Sequence, residues 1–320
     1  MTTSKVVLVL VALASLLLVG VLVTDVIKNE SGQSTTGDWF LANVKECRSR
    51  FAIIGDFGTD TRSEAAVAQL VKSWQPEFVV TTGDNNYDGG EAVTIDKNIG
   101  KHYQEYIYPY KGKYGSGAEF NRFWPALGNH DWETPGAKPY LDYFELPHNE
   151  RYYDFTVGPV HFFSIDSDER EPDGIEANSV QGKWFEEKMK ESKFAWQIAI
   201  MHHTPYTSSG NHSAAEKLRW PFKEWGADAV IAGHVHAYER LQVNDIPYIT
   251  NGLGGRTIHG FSTPQPGSEV RYNTDFGAML VEATPAEITY QFISIKGDVV
   301  DRHRVTQPAR QTVCDTDHRS

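Results

Sequence analysis

The run Ala229-Val230-Ile231-Ala232-Gly233-His234-Val235-His236 decides how the chain folds. Its four small or branched apolar residues read as a short buried strand, and Gly233 ends it. On a straight strand the two imidazoles of a His-x-His point to opposite faces. On a turn that Gly233 permits, they can converge on two neighbouring ions. Standing alone, such a pair reads more readily as surface or packed histidines than as a metal site. It does not stand alone, because four other segments end an apolar strand on ligand-type residues.

Phe51-Ala52-Ile53-Ile54 leads to Gly55-Asp56-Phe57-Gly58, and Phe78 to Thr82 leads to Gly83-Asp84-Asn85-Asn86-Tyr87. Phe123 to Leu127 leads to Gly128-Asn129-His130-Asp131, and Trp196 to Met201 to His202-His203-Thr204-Pro205. Thr61 and Glu64 form a capping box for a helix with Val67, Leu70, Val71 and Trp74 at three-four spacing, closed by Pro76. The opening therefore reads β-α-β, with a carboxylate at the end of each strand, where open α/β sheets place their ligands. One Asp after Gly is ordinarily a turn residue. Five such segments in order are a site.

The remainder is read more coarsely. Asp88 to Gly117, rich in Tyr and Gly, reads as a surface excursion with a short helix near Lys97 to Tyr108. Tyr152 to Val157 and Val160 to Ile165 form a hairpin across Gly158-Pro159. Ser179 to Lys190 has helical spacing, and Ser213 with Glu216 suggests a second capping box for a helix towards Trp225. Pro247 to Thr250, Ala278 to Glu282 and Ile288 to Ile295 alternate as strands. With no internal repeat, one catalytic domain over 49–300 is the simplest division, after a Ser/Thr/Gly-rich linker at 29–48 and before a tail at 301–320.

Composition removes several classes. The formal net charge is −12 and no basic stripe is present, which argues against a nucleic-acid partner. A small phosphorylated substrate stays open, because bound metal ions invert the local field. The two cysteines, Cys47 and Cys314, exclude a Cys-x-x-Cys centre. They leave two readings open, free thiols or a bond tying the chain ends in an oxidising compartment. Within residues 1–28, Val6 to Val23 is eighteen residues, all Val, Leu, Ala or Gly but for one Ser. It reads as a transmembrane anchor or a signal peptide. The expected location is outside the cytoplasm, membrane-anchored or, after cleavage, secreted. The oligomeric state is not legible.

The strand-end inventory is Asp56, Asp84, Tyr87, Asn129, His202, His234 and His236. Oxygen and imidazole donors without thiolate suit first-row divalent or trivalent ions. One aspartate can bridge two ions, and such a pair can clamp a phosphoryl group and acidify a water. Two divalent ions with neutral Tyr87, or a trivalent and a divalent ion with ionised Tyr87, leave the same two net positive charges. Charge alone does not name the metals.

Gly-Asp-x-Gly, Gly-Asp-x-x-Tyr, Gly-Asn-His-Asp, His-x-x-Pro and Gly-His-x-His, in this order, resemble the motif set of the calcineurin-like metallophosphoesterases. The Tyr of the second motif is similar to the purple (tartrate-resistant type) acid phosphatase branch. The resemblance covers roughly Phe51 to Ile295. Ala199 departs from it in a strand, at a position where the family carries Val. It implies an α/β fold, a four-layer α/β/β/α sandwich. It implies Fe3+ held by Asp56, Asp84, Tyr87 and His236, with Asp84 bridging. A divalent ion (Fe2+, Zn2+ or Mn2+) would be held by Asn129, His202 and His234. A metal-bound hydroxide would attack phosphorus, and His130, oriented by Asp131, would protonate the leaving alcohol. His203 and His212 are candidate substrate contacts. The implied activity is an acid phosphatase, a hydrolase of small phosphate monoesters. Its rivals are a phosphodiesterase or nucleotide hydrolase with the same site, a protein phosphatase, and a non-catalytic, anchored metal-binding domain.

Overall fold

A computed structural model describes residues 47–308 and 312–315. The apolar segment at 6–23 and most of the linker lie outside these residues. Among the described residues no helix is long and apolar enough to cross a membrane.

The order begins β1 (Ser49–Ile54), α1 (Arg62–Ser73), β2 (Phe78–Thr81) and β3 (Phe123–Pro125), then the hairpin β4 (Tyr153–Val157) and β5 (Val160–Ser164). It continues through α2 (Val180–Glu191), β6 (Trp196–Ile200), β7 (Ala229–Ala232), β8 (Tyr238–Val243) and β9 (Ile246–Asn251). It ends with β10 (Ser268–Tyr272), β11 (Gly277–Thr284), β12 (Glu287–Ser294) and β13 (Val299–Thr306). One sheet has the order β13-β12-β11-β1-β2-β3 and the other β10-β8-β9-β7-β6-β5-β4. Parallel pairing joins β1 to β2 to β3 in the first, and β5 to β6 to β7 to β9 in the second.

Strand alternation assembles the layers. Phe51 and Ile53 of β1 face the second sheet, in a core shared with Phe162, Ile198 and Ile231. Ala52 and Ile54 face the other way, onto Val67 and Val71 of α1. On the far side, Ala199 and Val230 pack with Phe185 and Met189 of α2. Helix, sheet, sheet and helix thus form the expected four layers. Helix α1 starts where its capping box stands: Thr61 accepts from the Glu64 amide at 3.3 Å. The Glu64 carboxylate reaches past the cap to the amides of Thr59 and Asp60.

The structure corrects four expectations. The excursion after Asp88 is only partly a surface feature: helical turns form where a short helix was expected and bury one face, while 111–117 stay at the surface. It turns helically from Ala92 to Tyr106, and Ile95, Ile99, Tyr103 and Tyr106 are buried in the outer core of the first sheet. These positions recur at three-four spacing, a signal that the polar residues between them mask. The second capping box opens no helix. Only a 3-10 turn at Glu216–Leu218 and one turn at Phe222–Trp225 form, because Pro221 lacks an N–H and disfavours helical geometry at Trp220. The domain runs past residue 300, since β13 pairs with β12 as far as Thr306. Cys47, assigned to the linker, is buried and joined to Cys314 with Cα atoms 5.6 Å apart. Nearby, Val313 bridges to Phe194 and Asp315 to Gly158.

Phe162 sits where the two sheets interlock, 4.7 Å from the Phe155 ring and 5.1 Å from Phe51. Phe162→Ala is expected to lower unfolding free energy by about 3–5 kcal/mol in chemical denaturation.

Candidate metal centre

Five loops bring their donors to the C-terminal ends of the parallel strands. Three of the donors follow a glycine and sit in the left-handed region: Asp56 (φ 57), Asp84 (φ 53) and His234 (φ 67). Each is a strained conformation for a residue with a Cβ. Gly233 is required by space as well, because a Cβ there would meet Asp56 Oδ2 at 2.6 Å.

The donors fall into two groups. In one, His202 Nε2 and His234 Nδ1 each lie 2.9 Å from Asn129 Oδ1 and 3.2 Å from each other. In the other, the Tyr87 hydroxyl lies 3.2 Å from His236 Nε2 and 3.4 Å from Asp56 Oδ1. Asp84 touches both. Its Oδ1 is 3.4 Å from His202 Nε2, and its Oδ2 is 2.7 Å from the Tyr87 hydroxyl. The seven residues expected to hold metal are therefore together, with Asp84 between the two groups.

The donor set can be tested for its need of a cation. His202 Nδ1 donates to the Thr82 carbonyl at 2.9 Å, so Nε2 carries a lone pair. That lone pair faces the oxygens of Asn129 and Asp84. A single proton satisfies one pair of these atoms at a time, whereas a cation satisfies all of them together. Ligand atoms of Asp56, Asp84 and His202 lie within 4.8 Å of one another, as do those of His202, His203 and His234. Without cations the electrostatics are adverse. Burial, aided by the Asp84 charge, lifts Asp56 well above the carboxylate range. Burial and the two carboxylates push the Tyr87 phenol well up. Burial and the surrounding imidazoles push His234 down. Cations reverse each of these effects.

His130 lines the same cavity, of about 260 Å³. Its Nδ1 donates to the Asp88 carbonyl at 2.5 Å. Its Nε2 is thus turned inward, 4.0 Å from Asp84 Oδ2. Asp131 does not orient it, contrary to the sequence reading. The Asp131 carboxylate accepts from the Gly128 amide at 2.9 Å and from the Asn85 side chain at 2.8 Å. Burial and the Asp84 charge raise it to about 7. Neighbours on a tight loop point different ways, so adjacency in sequence gave the wrong partner.

His203 and His212 both reach the rim. The His203 ring is 4.5 Å from that of His234, with Nδ1 3.0 Å from Ser167 Oγ. The His212 ring is 4.3 Å from His234. Sequence reading missed three further residues. His259 stacks on His236 at 4.0 Å and accepts the His236 amide. The Arg256 guanidinium lies 4.9 Å over the Tyr87 ring and bonds Asp88 Oδ1. Glu239 is wholly buried, with no ion pair to a basic group among the described residues. It accepts from the Ser208 amide at 2.7 Å and from the hydroxyls of Ser208 and Ser268. This fixes the loop that carries His212, which also pairs with the loop of His259 through Gly210 and Asn211. The Gly254-Gly255-Arg256 run after β9 was the available signal.

Residues 49–238 match the family model for calcineurin-like phosphoesterases. The chain is similar to purple acid phosphatase 5 of Arabidopsis thaliana, 26% identical over 72% of this chain and 60% of that protein. It is similar to a purple acid phosphatase of Glycine max, 25% identical over 79% of this chain and 62% of the other. It thus spans about three-fifths of the length of these relatives. Glideosome-associated protein 50 of Plasmodium falciparum is 23% identical over 84% of this chain and 79% of its own length. Among solved structures, GAP50, the anchor in the inner membrane complex of Plasmodium, shares the fold at a TM-score of 0.65. That likeness has 22% identity and covers 83% of this chain and 91% of that one. The purple acid phosphatase PPD1 of yellow lupin also reaches 0.65, with 18% identity over 81% of this chain and 54% of its own.

Asp84→Asn is expected to abolish binding of both metals, read by elemental analysis of the purified protein, because one side chain serves both donor groups. Glu239→Gln should raise KM for a phosphate ester by about fivefold with bound metal unchanged, as expected when a positioned contact is lost. An unchanged KM would show that His212 is held without it.

Proposed function

Since the chain belongs to the calcineurin-like phosphoesterase family, we propose that it is an exported two-metal hydrolase of phosphate monoesters, of the purple acid phosphatase type. One observation carries the reading: the Asp84 oxygens divide between two donor groups beside a histidine whose Nε2 faces them.

Asp56, Asp84, Tyr87 and His236 would hold a ferric ion, and Asn129, His202 and His234, with Asp84 shared, a divalent one. Such ions supply Lewis-acid charge to phosphoryl oxygens and make a water acidic enough to serve as nucleophile. The rest falls to the chain's own residues. His130, with its Nδ1 proton committed to the Asp88 carbonyl, would act as general acid through the inward-facing Nε2. The water gives up one proton to solvent, its oxygen bonds to phosphorus as the ester P–O bond breaks, and the leaving oxygen takes a proton from His130 Nε2, which solvent restores. His212 and Arg256, at the rim, bind phosphoryl oxygens and orient the ester. The disulfide between Cys47 and Cys314 supports an oxidising compartment, hence export. The net charge of −12 supports a small substrate over nucleic acid.

A second reading is a domain that anchors a partner. The likeness to the Plasmodium anchor favours it. The complete donor set and the inward His130 support the hydrolase.

His130→Ala should lower kcat on para-nitrophenyl phosphate by about 10²–10⁴-fold while elemental analysis finds both metals still bound. Unchanged turnover would remove His130 from the mechanism, and no turnover in the metal-loaded parent would favour the anchor. The purified protein should show a visible charge-transfer band that Tyr87→Phe abolishes. A colourless protein carrying two divalent ions would shift the reading to a phosphodiesterase.

A further inference from the structure

A second cavity, of about 1150 Å³, adjoins the metal centre. Both cavities are lined by His212, and His203 forms part of the larger one beside His234. The smaller, at about 260 Å³, is below the size range of ordinary small-molecule sites, roughly 300–1,000 Å³. It has room for a phosphoryl group. The larger has room for what that group is attached to.

The wall of the larger cavity selects among attachments. Its aliphatic side chains are Ile175, Ala214 and Ala215, too few to cover an alkyl chain. Its cations are all paired within reach: Arg170 with Asp168 at 2.7 Å, Lys217 with Glu169 at 2.8 Å, and Arg219 with Glu216 at 3.1 Å. A polyphosphate would have to displace carboxylates from each of them. What remains is hydrogen-bonding capacity without net charge. The hydroxyls of Thr207, Ser209 and Ser213 and the Gln265 amide line the same wall.

We propose that this cavity holds the leaving alcohol, and that the alcohol is an uncharged polyhydroxyl group of the sugar or polyol type. The inference rests on the phosphatase reading of the adjoining site. Hydroxyl donors of such an alcohol meet the wall's carboxylates, and its acceptors meet the serine and threonine hydroxyls. Tyr206, held between Arg219 at 4.7 Å and the edge of Tyr248, offers a fixed ring beside them.

The test compares kcat/KM of the metal-loaded protein on a hexose monophosphate, octyl phosphate, a nucleoside triphosphate and phenyl phosphate. The hexose ester should be preferred over the octyl ester and the triphosphate. Ala214→Trp fills the larger cavity from a wall position that does not line the smaller one, where His130 and most of the donor set lie. It should lower the hexose-to-phenyl ratio by about tenfold, the effect of one or two lost hydrogen bonds. Ser213→Leu should move selectivity from the hexose ester towards the octyl ester, and serves if the Trp variant fails to fold. Preference for octyl phosphate or the triphosphate, or ratios unmoved by both variants, would overturn the proposal while leaving phenyl phosphate hydrolysis, and so the phosphatase reading, intact. If the parent hydrolyses none of the four, the phosphatase reading fails. Calorimetric titration then decides the cavity: hexose monophosphate must bind more tightly than inorganic phosphate, and Ala214→Trp must erase the difference.

Discussion

Two groups of donor atoms crowded around the shared Asp84 carboxylate set the terms for this structure. His202 Nε2, Asn129 Oδ1, His234 Nδ1 and Asp84 Oδ1 crowd one side, and Asp56, Tyr87, His236 and Asp84 Oδ2 the other. Buried in protein alone, this is costly, since carboxylates and phenol lose hydration that a few hydrogen bonds to one another and to backbone amides replace only in part. With two cations the same crowding becomes coordination. The fold's task is to hold these groups together before the cations arrive.

The sandwich does so by placing two parallel sheet segments back to back, so that their C-terminal ends open on one side. The inter-sheet core of Phe51, Phe78, Phe155 and Phe162 fixes how those ends meet. At the ends themselves the backbone is strained, with three donors in left-handed conformations. Strain of about 1–3 kcal/mol at each is sustained by a rigid surround. Hydrogen bonds secure it: Asp56 accepts the His234 amide, and Asp84 accepts the His130 amide at 2.9 Å. The two aspartates thus serve the backbone of the opposing loops as well as the candidate donor groups.

The rim is organised differently. His130 and Arg256 are both held by Asp88, one through its carbonyl and the other through its carboxylate. His212 depends on a loop pinned by the buried Glu239. A site of fixed donors is thereby surrounded by residues on loops that lean on one another. Substrate discrimination can vary there without disturbing coordination.

The candidate metal ligands were legible because each follows a strand end, and most follow a glycine: local patterns that the chain carries in a few consecutive residues. The four layers were legible through the resemblance and through the runs that became β1, β2, β6 and β7. The strands β8, β10 and β13 were not, because their charged residues read as loop. Arg240 is buried in β8 only because Asp301 of β13 and Glu269 of β10 meet it there. His130 found its partner in the Asp88 carbonyl, 42 positions away, and not in its neighbour Asp131. Arg256 and His259 entered the site from a loop with no strand-end motif. The sequence by itself determined which atoms can bind metal, since that follows from residue type and local turn. Tertiary structure alone decided which groups orient them, because a hydrogen bond depends on distances between segments that the chain order does not encode.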